Sequence, residues 1–167
     1  LPLFQKAQTL QEELMMMMPE EPGDEPLAQE KHLVANAKKI GLLAAGLAAQ
    51  KFGQALDKEQ EILVNIADIV SNVYAMEAAV LRTEKAIQKA GLEKCSQKLL
   101  YTQIFCQEAF IEIEQHAKET LVAIEEGDSL RMLISALRKL TRYTPINVIA
   151  KKREAANRLI EAEKFIV

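Results

Sequence analysis

The chain has 167 residues, 49% hydrophobic and 27% charged, with a formal net charge of -3. That length supports one compact domain with a core of its own and leaves little room for two. The slightly acidic balance excludes nucleic-acid binding by bulk charge, because gripping a phosphate backbone takes a concentrated basic face. Six glycines, five prolines and no tryptophan, beside abundant Ala, Leu, Glu, Lys and Gln, point to an all-α fold.

Charge is segregated along the chain. Residues 1–30 carry one Lys against seven acids, whereas residues 128–167 carry nine Lys/Arg against four acids. Such segregation gives solvated faces of opposite sign on the terminal helices, or lets the ends meet each other or a partner. The sequence opens at Leu1 with neither a Met nor a signal-type or transit-type leader, which reads as a piece cut from something longer.

Leu3 to about Met17 forms a short amphipathic helix with Leu3, Leu10 and Leu14 on one side, and Pro19, Pro22, Gly23 and Pro26 end it. Residues 1–25 therefore read as a connector and residues 26–167 as a single helical-bundle domain. Met15 to Met18 give an adaptable apolar surface, either for a partner or for packing against the rest of a longer chain.

Asp24 or Glu25 before Pro26 marks the start of a second helix, which runs to about Ala55 on the seam Leu33, Ala37, Ile40, Ala44 and Leu47. Its middle is rich in Gly and Ala, and its two interior glycines, Gly41 and Gly46, predict a tight helix crossing. Gly53 closes this helix. Asp57 then serves as N-cap of the next, with Gln60 completing a capping-box pattern.

From Asp57 to Ala90 there is no Gly or Pro, and Ile62, Ile66, Ile69, Val73, Met76, Val80 and Ile87 form one seam interrupted at Thr83. This is one long helix of roughly 50 Å at about 1.5 Å per residue, and it needs several partners of comparable length. Gly91 ends it. A third long helix, Leu92 to Glu125, turns Leu99, Thr102, Cys106, Ala109, Phe110, Ile113, Ala117, Leu121 and Ile124 inward.

Gly127 and Asp128 open a fourth helix, marked by Leu130, Leu133, Ile134, Leu137 and Leu140. It breaks near Tyr143, because Pro145 disfavours a helical residue before it and suits a helix N1 position itself. A last helix from Pro145 to about Phe165 turns Ile149, Ala156 and Ile160 inward and Lys151, Lys152 and Arg153 outward. The sum is an antiparallel up-and-down helical bundle of four main helices plus a short leading helix.

Chemistry-bearing groups are sparse. The longest uncharged stretch, Ile40 to Gln50, is 11 residues, against roughly 20 for a membrane crossing. Cys95 and Cys106 stand too far apart on one helix to bridge and read as reduced thiols, Cys106 as a small buried hydrophobe. Neither His32 nor His116 completes the Glu-x-x-His pattern of a di-iron bundle. Glu112 and His116 are placed to pair at i, i+4, and Asp68 and Glu77 border the long seam as interhelical hydrogen-bond partners. No Gly-rich phosphate loop, Gly-x-Ser-x-Gly elbow or CxxC occurs. No catalytic, cofactor-binding or metal-ligating residue is assigned.

The run Ile66-Ala67-Asp68-Ile69 through Val73-Tyr74-Ala75-Met76-Glu77 to Leu81-Arg82-Thr83 resembles the C-terminal helical extension of very-long-chain-type acyl-CoA dehydrogenases. The helix Ala37 to Phe52, the segment Phe105-Cys106-Gln107-Glu108-Ala109 and the closing Leu137 to Arg158 resemble the same extension in the same order. The resemblance implies a parent enzyme that uses FAD to oxidise a fatty acyl-CoA in β-oxidation, with its base, flavin contacts and acyl-CoA cavity upstream. For this segment it implies an accessory role without catalytic residues: packing on the catalytic core, shaping a homodimer, and peripheral membrane contact through Lys151, Lys152 and Arg153. The compartment implied is cytoplasmic for a bacterial-type parent or mitochondrial for a eukaryotic one, not secreted. The alternative is a free-standing bundle that binds a partner helix or a membrane surface, and an enzyme in its own right ranks last.

Overall fold

The computed structural model describes residues 2–16 and 21–166. They form six α-helices: α1 (Pro2–Met16), α2 (Ala28–Phe52), α3 (Gln60–Ala90), α4 (Ser96–Ile124), α5 (Gly127–Leu140) and α6 (Val148–Ala162). Two short 3-10 turns, Gly53–Lys58 and Glu93–Cys95, precede α3 and α4, and no strand occurs among the described residues. Of the methionine run, Met17 and Met18 lie outside those residues, and Met16 is exposed.

Cross-helix contacts fix the directions. Lys31 meets Glu84 and Lys38 meets Glu77, so α2 and α3 are antiparallel. Thr83 meets Thr102 and Asn65 meets His116, so α3 and α4 are antiparallel as well. The closing segment then runs antiparallel along α4: Tyr143 on Phe110, Ile146 on Gln107, Lys151 on Gln103, and Arg158 on Gln97. The fourth long element of the bundle is thus split into α5 and α6, laid in series and broken over residues 141–147.

The core follows the predicted seams closely. Leu33, Ala37, Ile40, Ala44 and Leu47 of α2 pack with Ile62, Ile69, Met76 and Val80 of α3, with Cys106, Phe110, Ile113, Ala117, Leu121 and Ile124 of α4, and with Leu133, Leu137 and Leu140 of α5. Helix α1 seats Ala7, Leu10 and Leu14 against them, while Leu3 stays exposed. The glycines of α2 work as small-residue contacts: the Cα of Gly46 lies so near α1 that a Cβ there would fall 2.1 Å from Ala7 Cβ. Close packing without a side chain in the way is what brings α1 onto α2.

Helices α2, α3 and α6 start later than their sequence signals place them. Helix α3 starts at Gln60 with Glu59 as its cap, and Gln60 donates to the Asp57 carbonyl instead of closing a capping box. The 3-10 turn at 53–58 uses up the residues that a direct turn would have left free. Helix α2 starts at Ala28, after Leu27 in left-handed conformation at φ 68°. That conformation is costly for a bulky residue, and the fully covered Leu27 side chain offsets it. Pro145 is not the N1 residue of α6; the cap is Asn147, whose side chain accepts from Ala150 N at 3.0 Å.

Helix α6 departs furthest from its sequence pattern. Ile149, Ala156 and Ile160, expected inward, are exposed; Ala155 is buried, and Val148, Lys151, Arg158 and Leu159 are half-buried. Its inner partners are Leu100 and Ile104 of α4, in a small satellite cluster with Ala155. On α4, Leu100 is buried where Leu99 was expected to be.

Candidate interaction surface

The polar residues singled out from the sequence act as interhelical ties. Thr83, the break in the α3 seam, is buried and lies 2.7 Å from Thr102 of α4. Since the Thr102 hydroxyl donates to the Lys98 carbonyl, Thr83 must donate to Thr102. Glu77 accepts from Lys38 of α2, and Asp68 lies 3.9 Å from His116 Nε2. The expected Glu112–His116 pair is not made: His116 Nδ1 bonds Asn65 Oδ1 at 2.9 Å, and Glu112 accepts from Asn72. Cross-helix partners outcompete the i+4 neighbour because α3 and α4 lie side by side over these turns. Cys106 is fully buried, and burial, reinforced by the nearby Glu30 carboxylate, pushes its thiol up to about 12. That is the chemistry of a packed hydrophobe, not a nucleophile.

The break at 141–147 is clamped. Asn36 donates to Leu140 O and Gln29 to Thr144 O, while Gln107 takes both the N–H and the carbonyl of Ile146. Tyr143 rests edge-on against Phe110, ring centroids 5.5 Å apart. Glu30 is buried in the first turn of α2. Burial pushes its carboxyl up, partly offset by its backbone N–H and by Lys151. Of the basic trio, Lys151 donates to Gln103 and Lys152 pairs with Glu108, leaving Arg153 on the exposed side of α6. Among the described residues no group of three or more His, Cys, Asp or Glu side chains could hold a metal ion.

Helix α3 has a second apolar face. Although Asp68 and Glu77 interrupt its uncharged runs, α3 is long and apolar enough by length and composition to cross a membrane, and its most apolar window is only 17% buried. Val64, Val70, Tyr74 and Leu81 are exposed. On its α4 side, Ala75, Ala78, Ala79, Tyr101 and Thr102 line a shallow groove with Arg82 and Lys98. An amphipathic helix exposes a polar back; this one exposes a second apolar stripe, the mark of an interaction surface.

Residues 36–139 match the family model described as "Acyl-CoA dehydrogenase, C-terminal domain". The chain belongs to that family. The matched span takes in most of α2, all of α3 and α4, and nearly all of α5. Over its whole length this acyl-CoA dehydrogenase C-terminal domain is 74% identical to a probable acyl-CoA dehydrogenase of Bacillus subtilis (strain 168), of which it spans 28%. Over its whole length it also superposes, at a TM-score of 0.95 and 75% identity, on the crystal structure of an acyl-CoA dehydrogenase complexed with FAD from Bacillus anthracis, again spanning 28% of that chain.

Two features of the domain escaped sequence reasoning. Gln107 carries no motif, and its role follows only from its contact with Ile146 of the 141–147 segment; the burial of Glu30 likewise leaves no mark in the sequence. The outer face of α3 did leave a trace: between Ile62 and Leu81 its only charged residues are Asp68 and Glu77, too few for a helix with one solvated side.

Proposed function

We propose that this chain works as the C-terminal helical domain of an FAD-dependent acyl-CoA dehydrogenase of the very-long-chain type, carrying no catalytic residue of its own. Its task is to pack on the catalytic core and to shape the homodimer of a parent that oxidises fatty acyl-CoA in β-oxidation; with Bacillus relatives, the compartment is the cytoplasm. The end-to-end match to 28% of a dehydrogenase crystallised with FAD carries this reading. Removing this domain from the full-length enzyme tests it. The truncated enzyme keeps its flavin absorbance but melts lower and changes its assembly in light scattering. Unchanged melting and assembly, or FAD bound by the 167-residue chain alone, overturns the reading.

Peripheral membrane contact through Lys151, Lys152 and Arg153 is the second reading, supported by the exposed Arg153 and by the excess of basic residues in the last two helices. Co-sedimentation with anionic vesicles that is abolished by charge reversal at the three positions supports it. Absence of binding removes it.

A further inference from the structure

The outer face of α3 has the composition of a buried seam. Leu63, Ala67, Val70, Tyr74, Ala78 and Leu81 recur at helical spacing, about 110° around the helix from the core seam at roughly 100° per residue. Val70 and Leu81 are 56% exposed and Tyr74 75%. The two charges within this stretch point elsewhere, Glu77 to Lys38 of α2 and Asp68 towards His116 of α4. The stripe is therefore free of charge over about 27 Å of helix.

We infer that this outer seam of α3 is where the remainder of the dehydrogenase polypeptide seats on the domain, an inference that rests on the function proposed above. Three observations choose this occupant. The greater part of each relative lies outside the span matched here, since the chain covers 28% of them. A single stripe about 27 Å long and about 10 Å wide offers roughly 300 Å², well short of the ~800 Å² per partner that a stable complex between separate molecules uses. A covalently linked neighbour needs less, because linkage supplies effective concentrations of the order of millimolar. Of the basic residues beside the stripe, Lys31 and Lys38 are paired with Glu84 and Glu77, which leaves Arg82 and Lys98 on the α4 side, too few for the basic face that draws a helix to an anionic lipid surface. The competing apolar positions on α6, Ile149 and Ile160, are separated by the exposed Arg153 on the same side.

Thiol labelling of the full-length dehydrogenase tests this, read site by site by peptide mapping and referred to the rate for the same site in urea. Native Cys95 and Cys106 are buried and do not interfere. The reporters are Y74C and V70C on α3, two so that the loss of either side chain does not decide the result, and I160C on α6. Seating of the remaining chain on α3 slows maleimide reaction of Y74C and V70C at least tenfold in the native enzyme. Fast labelling at both overturns the inference; if I160C is protected instead, the remainder docks on α6 and the proposed function still stands. Protection of Y74C that disappears on dilution makes a second copy the occupant and also overturns it. If all three label fast and removal of the domain leaves the enzyme unchanged, the proposed function falls with it.

Discussion

Two glycines in one helix give opposite outcomes on replacement by alanine. Each gains about 1 kcal/mol from helix propensity. At Gly41 the new Cβ would meet Ile69 Cγ2 at 3.3 Å, a contact that a slight side-chain shift relieves. At Gly46 it would fall 2.1 Å from Ala7 Cβ, where carbon atoms need about 3.5–4.0 Å. Helix α1 must then retreat by more than 1 Å. It holds Leu10 and Leu14 in the core, each contributing about 1.5–3 kcal/mol by burial. A gap of 0.5–1 Å already forfeits a quarter to a half of the contact energy, so G46A loses about 2–3 kcal/mol of packing and is destabilised by about 1–2 kcal/mol net. G41A lies between neutral and about 0.5 kcal/mol more stable. Urea or thermal unfolding separates them, by roughly 2–4 °C per kcal/mol for a chain of this size. In A7G/G46A the nearest atoms left are Ala7 Cα and Leu3 O at 3.6 Å, and the double-mutant cycle shows a favourable coupling above about 1 kcal/mol. Equal stabilities of G46A and G41A, or no coupling with A7G, refute the close approach of α1.

The hydroxyl chain between α3 and α4 is directional. T102V leaves the buried Thr83 hydroxyl without its acceptor and costs about 1–3 kcal/mol in denaturant unfolding, whereas T83V costs about 0.5–1 kcal/mol because Thr102 still donates to Lys98 O. Q107L frees both backbone groups of Ile146; it costs about 2 kcal/mol, and the Ile146 amide exchanges faster by hydrogen-exchange mass spectrometry while the middle of α4 does not. At Glu30, burial raises the carboxyl pKa, so the folded state holds that proton more tightly than the unfolded chain. The associated stability is complete below the ordinary carboxylate range, about 4.3, and is lost as pH rises through the folded value. E30Q therefore gains on the wild type as pH rises above the ordinary carboxylate range, and a pH-independent difference refutes the burial.

Helix existence, order and the core seams of α2, α3, α4 and α5 were legible because a period near 3.6 repeats over many turns and each Gly stop is local chemistry. The small-residue crossing at Gly46 was legible for the same reason, though its partner, Ala7, was not. Helix starts were misplaced where a 3-10 turn or an asparagine cap competed with an equally good local candidate. Helix α6 shows where pattern reading fails: Ile149, Ala156 and Ile160 share one side, but the exposed Arg153 interrupts it, and spacing states only that a face seeks cover. Val148 and Ala155 take the contact with α4 instead.

The all-α class and the long organising helix follow from the residues alone, because backbone propensity and periodicity act within a few turns. Tertiary structure decided which partner each polar group takes, as when Glu112 and His116 ignore each other for Asn72 and Asn65, and which apolar faces are covered. Those outcomes depend on groups tens of residues apart arriving at the same place, and on α3 carrying two seams of which the bundle covers one.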